Sequence, residues 1–110
     1  MNNHFNKDLI LNSIFDIMKY NVSQIILRYD LDTKSRKQQN VYNRMLFCDF
    51  MVNKLGVQLE KVGLLIRRHH AQVIYNVKQH DILKNDQRYK ELNIDLMEDL
   101  QSITRIGKFK

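Results

Sequence analysis

The chain has a single cysteine, no proline, no tryptophan and only three glycines among its 110 residues. One cysteine cannot form a disulfide within the chain, and the apolar residues around Cys48 favour a small buried side chain over a nucleophile. With no proline and so little glycine, few positions interrupt a helix, so the composition predicts an all-α fold. Three scattered glycines cannot form the glycine-rich loop that binds nucleotide phosphates, and we therefore expect no bound nucleotide and no ATPase activity.

Long hydrophobic runs are also missing. No stretch approaches the roughly 18 apolar residues of a membrane-spanning helix, and the first residues do not have the pattern of a secretory signal. We expect no membrane partner and a cytoplasmic location in a bacterial or phage-infected host cell. The abundance of Asn, Lys and Ile is typical of AT-rich genomes, such as those of phages and low-GC bacteria.

Patterns that carry catalysis or bind metal are equally absent from the sequence. His69, His70 and His80 include no pair at i,i+4 spacing and no cysteine at ligand spacing, so they do not predict a zinc site. No paired-carboxylate or Ser-His-Asp arrangement stands out above chance. We expect a protein that is not an enzyme and has no cofactor.

Charge is present in abundance and is unevenly distributed. The net charge of the whole chain is +6, whereas residues 34–78 alone hold nine basic and two acidic residues, a net charge of +7. A basic segment of this kind is typical of a protein that binds nucleic acid, although a solvated helix surface can also be basic.

Hydrophobic periodicity predicts a single domain over residues 1–110, a compact bundle of about six helices with a core at about 7–103 and a basic, mobile tail at 104–110. The first helix is expected from Asn6 or Asp8 to about Lys19, with apolar residues at helical spacing. Ser23 is the expected N-cap of a short second helix that ends at Arg28 or Tyr29.

The middle and the end of the chain are dominated by two further helices. A long central helix is expected over residues 38–55, where the apolar positions are broad enough for burial on several sides, and Gly56 is its expected C-cap. A final helix is expected from Tyr89 to Ile103, with a cap at Asn85-Asp86 and an acidic outer face that would lie away from DNA.

The layout of residues 59–83 is that of a helix-turn-helix, in which the second helix enters a DNA major groove. A short apolar helix leads to two arginines, and a second helix follows that opens with hydrogen-bonding side chains. Val73, Val77 and either Ile74 or Ile82 are expected to form the buried face of this second helix. Gly63 either allows a close crossing beneath that helix or is simply tolerated.

At this point the sequence resembles the C-terminal DNA-binding domain of the bacterial replication initiator DnaA. The signature of that family, Arg-Asp-His-Thr-Thr-Val, corresponds to Arg-His-His-Ala-Gln-Val at residues 68–73, and three of the six positions agree. The basic loop of the family is similar to residues 34–38, and its last helix is similar to residues 89–103. The resemblance covers about residues 7–103.

The resemblance implies a sequence-preferring double-stranded DNA-binding protein that acts in the control of replication or transcription. It implies that the recognition helix lies in the major groove and that Arg36 of the basic loop lies in the minor groove. His69 and Ala71 replace base-contacting residues of the family, so the target sequence is not carried over. The expected DNA-binding residues are Lys34, Arg36, Lys37, Arg67, Arg68, His69, His70, Ala71, Gln72 and Lys78.

A second interpretation belongs to another functional class. The loss of the family's Asp and Thr would also fit a helical protein-interaction or virion-associated module that keeps the fold without reading DNA. A protein partner or a homo-oligomer is compatible with either interpretation.

Overall fold

The computed structural model describes the backbone of residues 18–107 and the side chains of residues 18–103. This part of the chain is helical and contains no strand, as the composition predicts. None of its helices is long and apolar enough to cross a bilayer. The first helix predicted from Asn6 or Asp8 falls largely on residues outside the described range. The six helices are α1 over residues 18–28, α2 Gln38–Asp49, α3 Leu59–Ile66, α4 His70–Leu83, α5 Gln87–Leu92 and α6 Ile94–Gly107.

The helix break predicted near Ser23 is wrong. Residues 18–28 form one continuous helix, and the Ser23 hydroxyl donates to the carbonyl of Lys19 at 3.0 Å, within the helix. Apolar side chains continue the buried face through this region, with Val22 and Ile26 both buried. The helix gives way to a turn at residues 29–32, where the sequence predicts an interruption.

The centre of the fold is α2, which packs chiefly against α4 and also contacts α5 and α6. Residues 43–48 are all buried, so this helix is covered on several sides, as predicted. Its last part, Phe50–Lys54, is π-helical, and the helical segment as a whole ends close to the predicted position. Gly56 follows with φ +69, the left-handed conformation expected of a C-cap glycine.

The final helix predicted over residues 89–103 is two helices. Asp86 caps α5, accepting from the backbone N–H of Tyr89 at 2.9 Å, and Asn93 separates α5 from α6. Asn43 of α2 donates to the side-chain oxygen of Asn93 at 2.8 Å and to the carbonyl of Leu92 at 3.1 Å. These bonds supply partners for polar groups at the helix break, which would otherwise be buried without one.

The end of the chain is more helical than predicted. Residues 104–107, assigned in the sequence to a mobile tail, belong to α6, and residues 108–110 lie outside the described range. The acidic face of α6 includes Asp99, which accepts from Arg28 at 3.0 Å and from the Tyr29 hydroxyl at 2.7 Å. Burial and the neighbouring carboxylate raise the pKa of Tyr29 to about 12. This carboxylate therefore holds α6 against the end of α1.

A polar cluster fixes the C-terminal half of α4. The Tyr89 hydroxyl lies 2.7 Å from Nδ1 of His80, and the other ring nitrogen of His80 lies 3.3 Å from the Asp49 carboxylate. Burial lowers the pKa of His80, with Asp49 opposing the shift, and burial raises the pKa of Tyr89. A neutral imidazole can accept from the hydroxyl and donate to the carboxylate, so it satisfies both neighbours.

Candidate nucleic-acid interface

The two helices α3 and α4 are joined by a turn of three residues, Arg67 to His69. Arg67 is left-handed, with φ 58 and ψ 46. The N–H of Arg68 donates to the carbonyl of Gly63 at 2.8 Å, and the N–H of Arg67 donates to the carbonyl of Leu64 at 3.3 Å. This pair of bonds is the Schellman arrangement, which satisfies carbonyls at the end of α3 and redirects the chain within one residue.

Gly63 is required by this turn. A Cβ built at this position would lie 2.5 Å from the backbone oxygen of Arg68, closer than real Cβ contacts come. The sequence left open whether this glycine permits a close approach or is merely tolerated. The geometry gives the first answer, because only a residue without a side chain lets the turn fold back onto α3.

Arg67 occupies a position at which glycine is the commonest residue. A left-handed conformation costs a residue with a side chain about 1–2 kcal/mol relative to the right-handed one. Its side chain is exposed. An unfavourable backbone conformation at an exposed cation is a reason to look for a function of that cation.

His69 caps the second helix. Its Nδ1 accepts from the backbone N–H of Ala71 at 3.1 Å, so this ring satisfies one of the first donors of α4. The sequence placed His69 in the first turn of the recognition helix, whereas the helix begins at His70. The rings of His69 and His70 lie against each other with centroids 4.2 Å apart, and both residues are exposed. The histidine pair therefore stands at the entrance of α4.

Arg68 connects the turn to the basic loop. Its guanidinium donates to the carbonyl of Thr33 at 2.5 Å and to two carbonyls of the turn, those of Ile66 and Arg67, both at 3.2 Å. Thr33 directly precedes the basic loop at residues 34–37. The two basic segments that the sequence placed on one surface are thus joined by a hydrogen bond between their own atoms.

A second arginine, Arg44 of α2, strengthens the same connection. It donates to the carbonyl of Thr33 at 3.3 Å and to the carbonyl of Ser35 at 2.5 Å, and only 8% of its surface is exposed. Burial lowers the pKa of Arg44, and the positive charge of Arg68 adds to this effect. Sequence reasoning missed Arg44 because a charged residue in a helix is normally assigned to the surface. Its position inside the buried stretch of α2 was the available signal.

The basic loop itself presents three cations to solvent. Lys34, Arg36 and Lys37 are all exposed. Ser35, between them, is turned inward, and its hydroxyl donates to the side chain of Asn40 at 3.1 Å. The backbone of the loop is therefore fixed by Arg44 and Asn40 while its cationic side chains stay free of any printed bond.

The outer face of α4 is defined by Ala71, Tyr75, Lys78 and Ile82, which recur every three or four residues and are all exposed. Ile82 is 70% exposed, so of the two isoleucines considered for the buried face it is Ile74 that is partly covered. Tyr75 was not singled out in the sequence, although its spacing from Ala71 and Lys78 places it on this face. Lys78 lies about 12 Å along the axis from His70, so it extends the basic surface away from the turn.

Gln72 is held from its own helix. It is exposed, but its side-chain amide donates to the side-chain oxygen of Asn76 at 3.2 Å. Asn76 is 4% exposed and donates in turn to the sulfur of Cys48 in α2 at 3.4 Å. Cys48 is buried, as predicted, and burial raises the pKa of its thiol to about 11.

The predicted site residues thus fall into one continuous region with different exposures. The loop, the turn and the first turn of α4 meet around the carbonyl of Thr33, and no acidic residue occurs at 33–37 or at 66–80. Arg68 is largely engaged by carbonyls, whereas Arg67 and the three loop cations are exposed. Within the described residues no group of three or more metal-ligating side chains is assembled.

Comparison with known proteins gives one informative match. The chain is 32% identical over 77 residues to the chromosomal replication initiator protein DnaA of Thermosipho melanesiensis. The aligned region covers 69% of this chain but only 16% of that relative. No family model matches the chain, and no solved structure matches it. The chain therefore has a distant, partial similarity to DnaA, in agreement with the resemblance seen in the sequence.

Proposed function

We propose that this domain binds double-stranded DNA with a sequence preference, using α3 and α4 as a helix-turn-helix. The outer face and first turn of α4 enter the major groove, and the basic loop at 34–37 lies over the adjacent minor groove. The similarity to a replication initiator supports a role in replication, with transcription control as the other use of the same reader. This function places the protein in the cytoplasm.

One observation carries the proposal. Arg68 from the turn and Arg44 from α2 both donate to the carbonyl of Thr33, which fixes the basic loop beside the entrance of the recognition helix. A duplex presents a major groove and a minor groove side by side, so a binder that uses both needs its helix and its loop in a fixed relation. The two arginines supply that relation.

The electrostatics support the same conclusion. Arg44 and Arg68 approach each other closely enough for the charge of one to lower the pKa of the other. Their partners at this junction are backbone carbonyls, which carry only partial negative charge. The junction is therefore electropositive, and the phosphates of a duplex would supply the negative charge that it lacks.

The residues divide into three roles. Phosphate contacts come from exposed cations and set the affinity, while base contacts come from the first turn of α4 and set the choice of sequence. Arg36 enters the minor groove, where the potential of a narrow A·T-rich stretch favours a guanidinium. The phosphate contacts are assigned to Lys34, Lys37, Arg67, Arg68 and Lys78, and the base contacts to His69, His70, Ala71 and Gln72.

Titration of a fluorescent duplex at several salt concentrations tests the proposal. With about five phosphate contacts, the log–log slope of affinity against salt should be near −4 to −5. Arg36→Ala together with Arg67→Ala should make the slope shallower by about 2. The control is Lys84→Ala, because this cation at the end of α4 is paired with Asp81 at 2.9 Å and lies roughly 20 Å from the turn.

The same titration separates this function from that of a protein-interaction module. Tyr75 and Ile82 on the outer face of α4 are 50% and 70% exposed, and Leu64 on α3 is 79% exposed, which is the observation that favours such a module. If the protein retains no duplex at low salt, the DNA-binding function is refuted and docking through these apolar side chains becomes the better interpretation.

A further inference from the structure

The base-reading residue Gln72 is connected to the core by two hydrogen bonds in series. Gln72 donates to Asn76, one helical turn further along α4, and Asn76 donates to the sulfur of Cys48. Asn76 is 4% exposed and Cys48 is fully buried, so the second bond lies inside the protein. The resulting chain of contacts runs from the outer surface of α4 to the central helix.

Asn76 is an unusual residue for this position. It lies on the inward face of α4, three residues after the fully buried Val73, where an apolar side chain would pack without needing partners. Burying a carboxamide costs free energy unless its polar groups are bonded. Both ends of the Asn76 amide are bonded here, one to the core and one to Gln72, so the amide spans the distance between them.

The bond to Asn76 also determines which atoms of Gln72 remain available. A glutamine amide has one oxygen and two N–H groups, and pairing with adenine in the major groove uses the oxygen together with one N–H. Asn76 engages an N–H of Gln72 and leaves the oxygen and the second N–H free. These two groups are the ones that a bidentate contact with adenine requires.

We propose that Asn76 is a positioning residue that holds the Gln72 amide in the orientation that reads an A·T pair in the major groove. The inference rests on the proposed DNA-binding function and adds to it a specificity-determining contact. Gln72 touches the base, and Asn76 acts only through Gln72. Without Asn76 the Gln72 amide rotates freely, and ordering it on binding costs side-chain entropy that the wild-type protein has already lost.

The test measures discrimination rather than affinity alone. A pool of duplexes with a randomised centre is first selected on the wild-type protein, and each A·T pair of the enriched duplex is then replaced by G·C. Gln72→Ala should lower discrimination at one of these pairs by about 10-fold, which corresponds to a bidentate contact of about 1.4 kcal/mol. Asn76→Leu, which keeps the size of the side chain, should lower it at the same pair by about 3-fold.

A double-mutant cycle separates positioning from a merely structural role. If Asn76 acts through Gln72, adding Asn76→Leu to Gln72→Ala changes discrimination no further. A purely structural defect would weaken the binding of all duplexes by the same factor and leave the ratio between them unchanged. Helicity measured by circular dichroism checks that each variant is folded.

Side-chain amide resonances of Gln72 give a readout that needs no DNA. In the wild-type protein this amide should be ordered on the nanosecond timescale, and Asn76→Leu should make it mobile. An amide that is mobile in both proteins, or discrimination that Asn76→Leu leaves intact, would overturn the inference while leaving DNA binding in place. Failure of the wild-type protein to retain any duplex would refute the proposed function itself, and with it the role of Asn76.

Discussion

Arg67 offers a direct test of whether backbone strain in the turn is retained for the sake of a cation. Its φ of 58 places a residue with a Cβ in a conformation that glycine adopts freely. The informative comparison is between Arg67→Gly and Arg67→Ala. Both substitutions remove the same charge, and only glycine relieves the conformation.

The expected difference in stability follows from two opposing terms. The left-handed conformation costs alanine about 1–2 kcal/mol, and glycine avoids this cost. Glycine loses more freedom on folding, which returns about 0.4–1 kcal/mol. Arg67→Gly should therefore be more stable than Arg67→Ala by about 0.5–1 kcal/mol. In a domain of this size the difference corresponds to a Tm higher by roughly 3–6 °C.

DNA affinity should behave differently from stability. Both variants lose one phosphate contact, so both should weaken duplex binding equally and make the salt slope shallower by about 0.9. Urea denaturation gives the free energy of unfolding, and fluorescence anisotropy gives the affinity. The reasoning is refuted if the glycine variant is no more stable than the alanine variant, or if neither variant binds DNA more weakly than the wild type.

Three further predictions concern the turn, the polar cluster and the buried thiol. Gly63→Ala should destabilise the protein by about 1–3 kcal/mol in urea denaturation, because its Cβ would meet the Arg68 carbonyl at 2.5 Å; a gain in stability, as at an ordinary helical glycine, would contradict this. The lowered pKa of His80 means that its neutral form favours the folded state, so this contribution is present above about pH 6.5 and is lost as pH falls through the folded-state value. Denaturation midpoints should show a smaller loss between pH 7 and 5 in His80→Asn than in the wild type, and parallel curves would count against it. Cys48, buried and with a thiol pKa raised to about 11, should react with a thiol reagent only at the rate of unfolding; fast labelling of the native protein would show otherwise.

Much of the fold could be predicted because local signals and tertiary structure agree. Gly56 follows a long apolar run and adopts the left-handed conformation that ends it, and Asp86 caps the helix that follows. The buried thiol of Cys48 followed from its apolar neighbours. At these positions the residue type alone carries most of the physical reason.

Helix boundaries failed where a residue has two uses. Ser23 is a good N-cap, but its hydroxyl bonds equally well to the preceding turn of a helix, and the apolar spacing on either side keeps the helix continuous. The break at Asn93 was hidden for the opposite reason. Apolar residues keep helical spacing across it, and the partner that accommodates the break, Asn43, comes from another helix.

The candidate interface shows the same limit. Exposed cations near residues 36 and 67 are visible in the sequence as an uneven charge. The joining of the two segments depends on Arg44 and Arg68 reaching the carbonyl of Thr33, and the sequence contains no sign of which backbone oxygen accepts. Likewise, the spacing of Gln72 and Asn76 allows a contact, but the burial of Asn76 is decided by how α4 packs on α2.

The acceptor that joins the basic loop to the turn is a main-chain atom, and this has an evolutionary consequence. Every amino acid at position 33 supplies the same carbonyl oxygen, so the side chain there is free to vary without loosening the junction. Selection to preserve the geometry of the loop falls instead on the two donors, which come from separate helical regions of the chain. Homologous domains should therefore tolerate many residues at position 33 while the arginines at 44 and 68 change rarely, or change together.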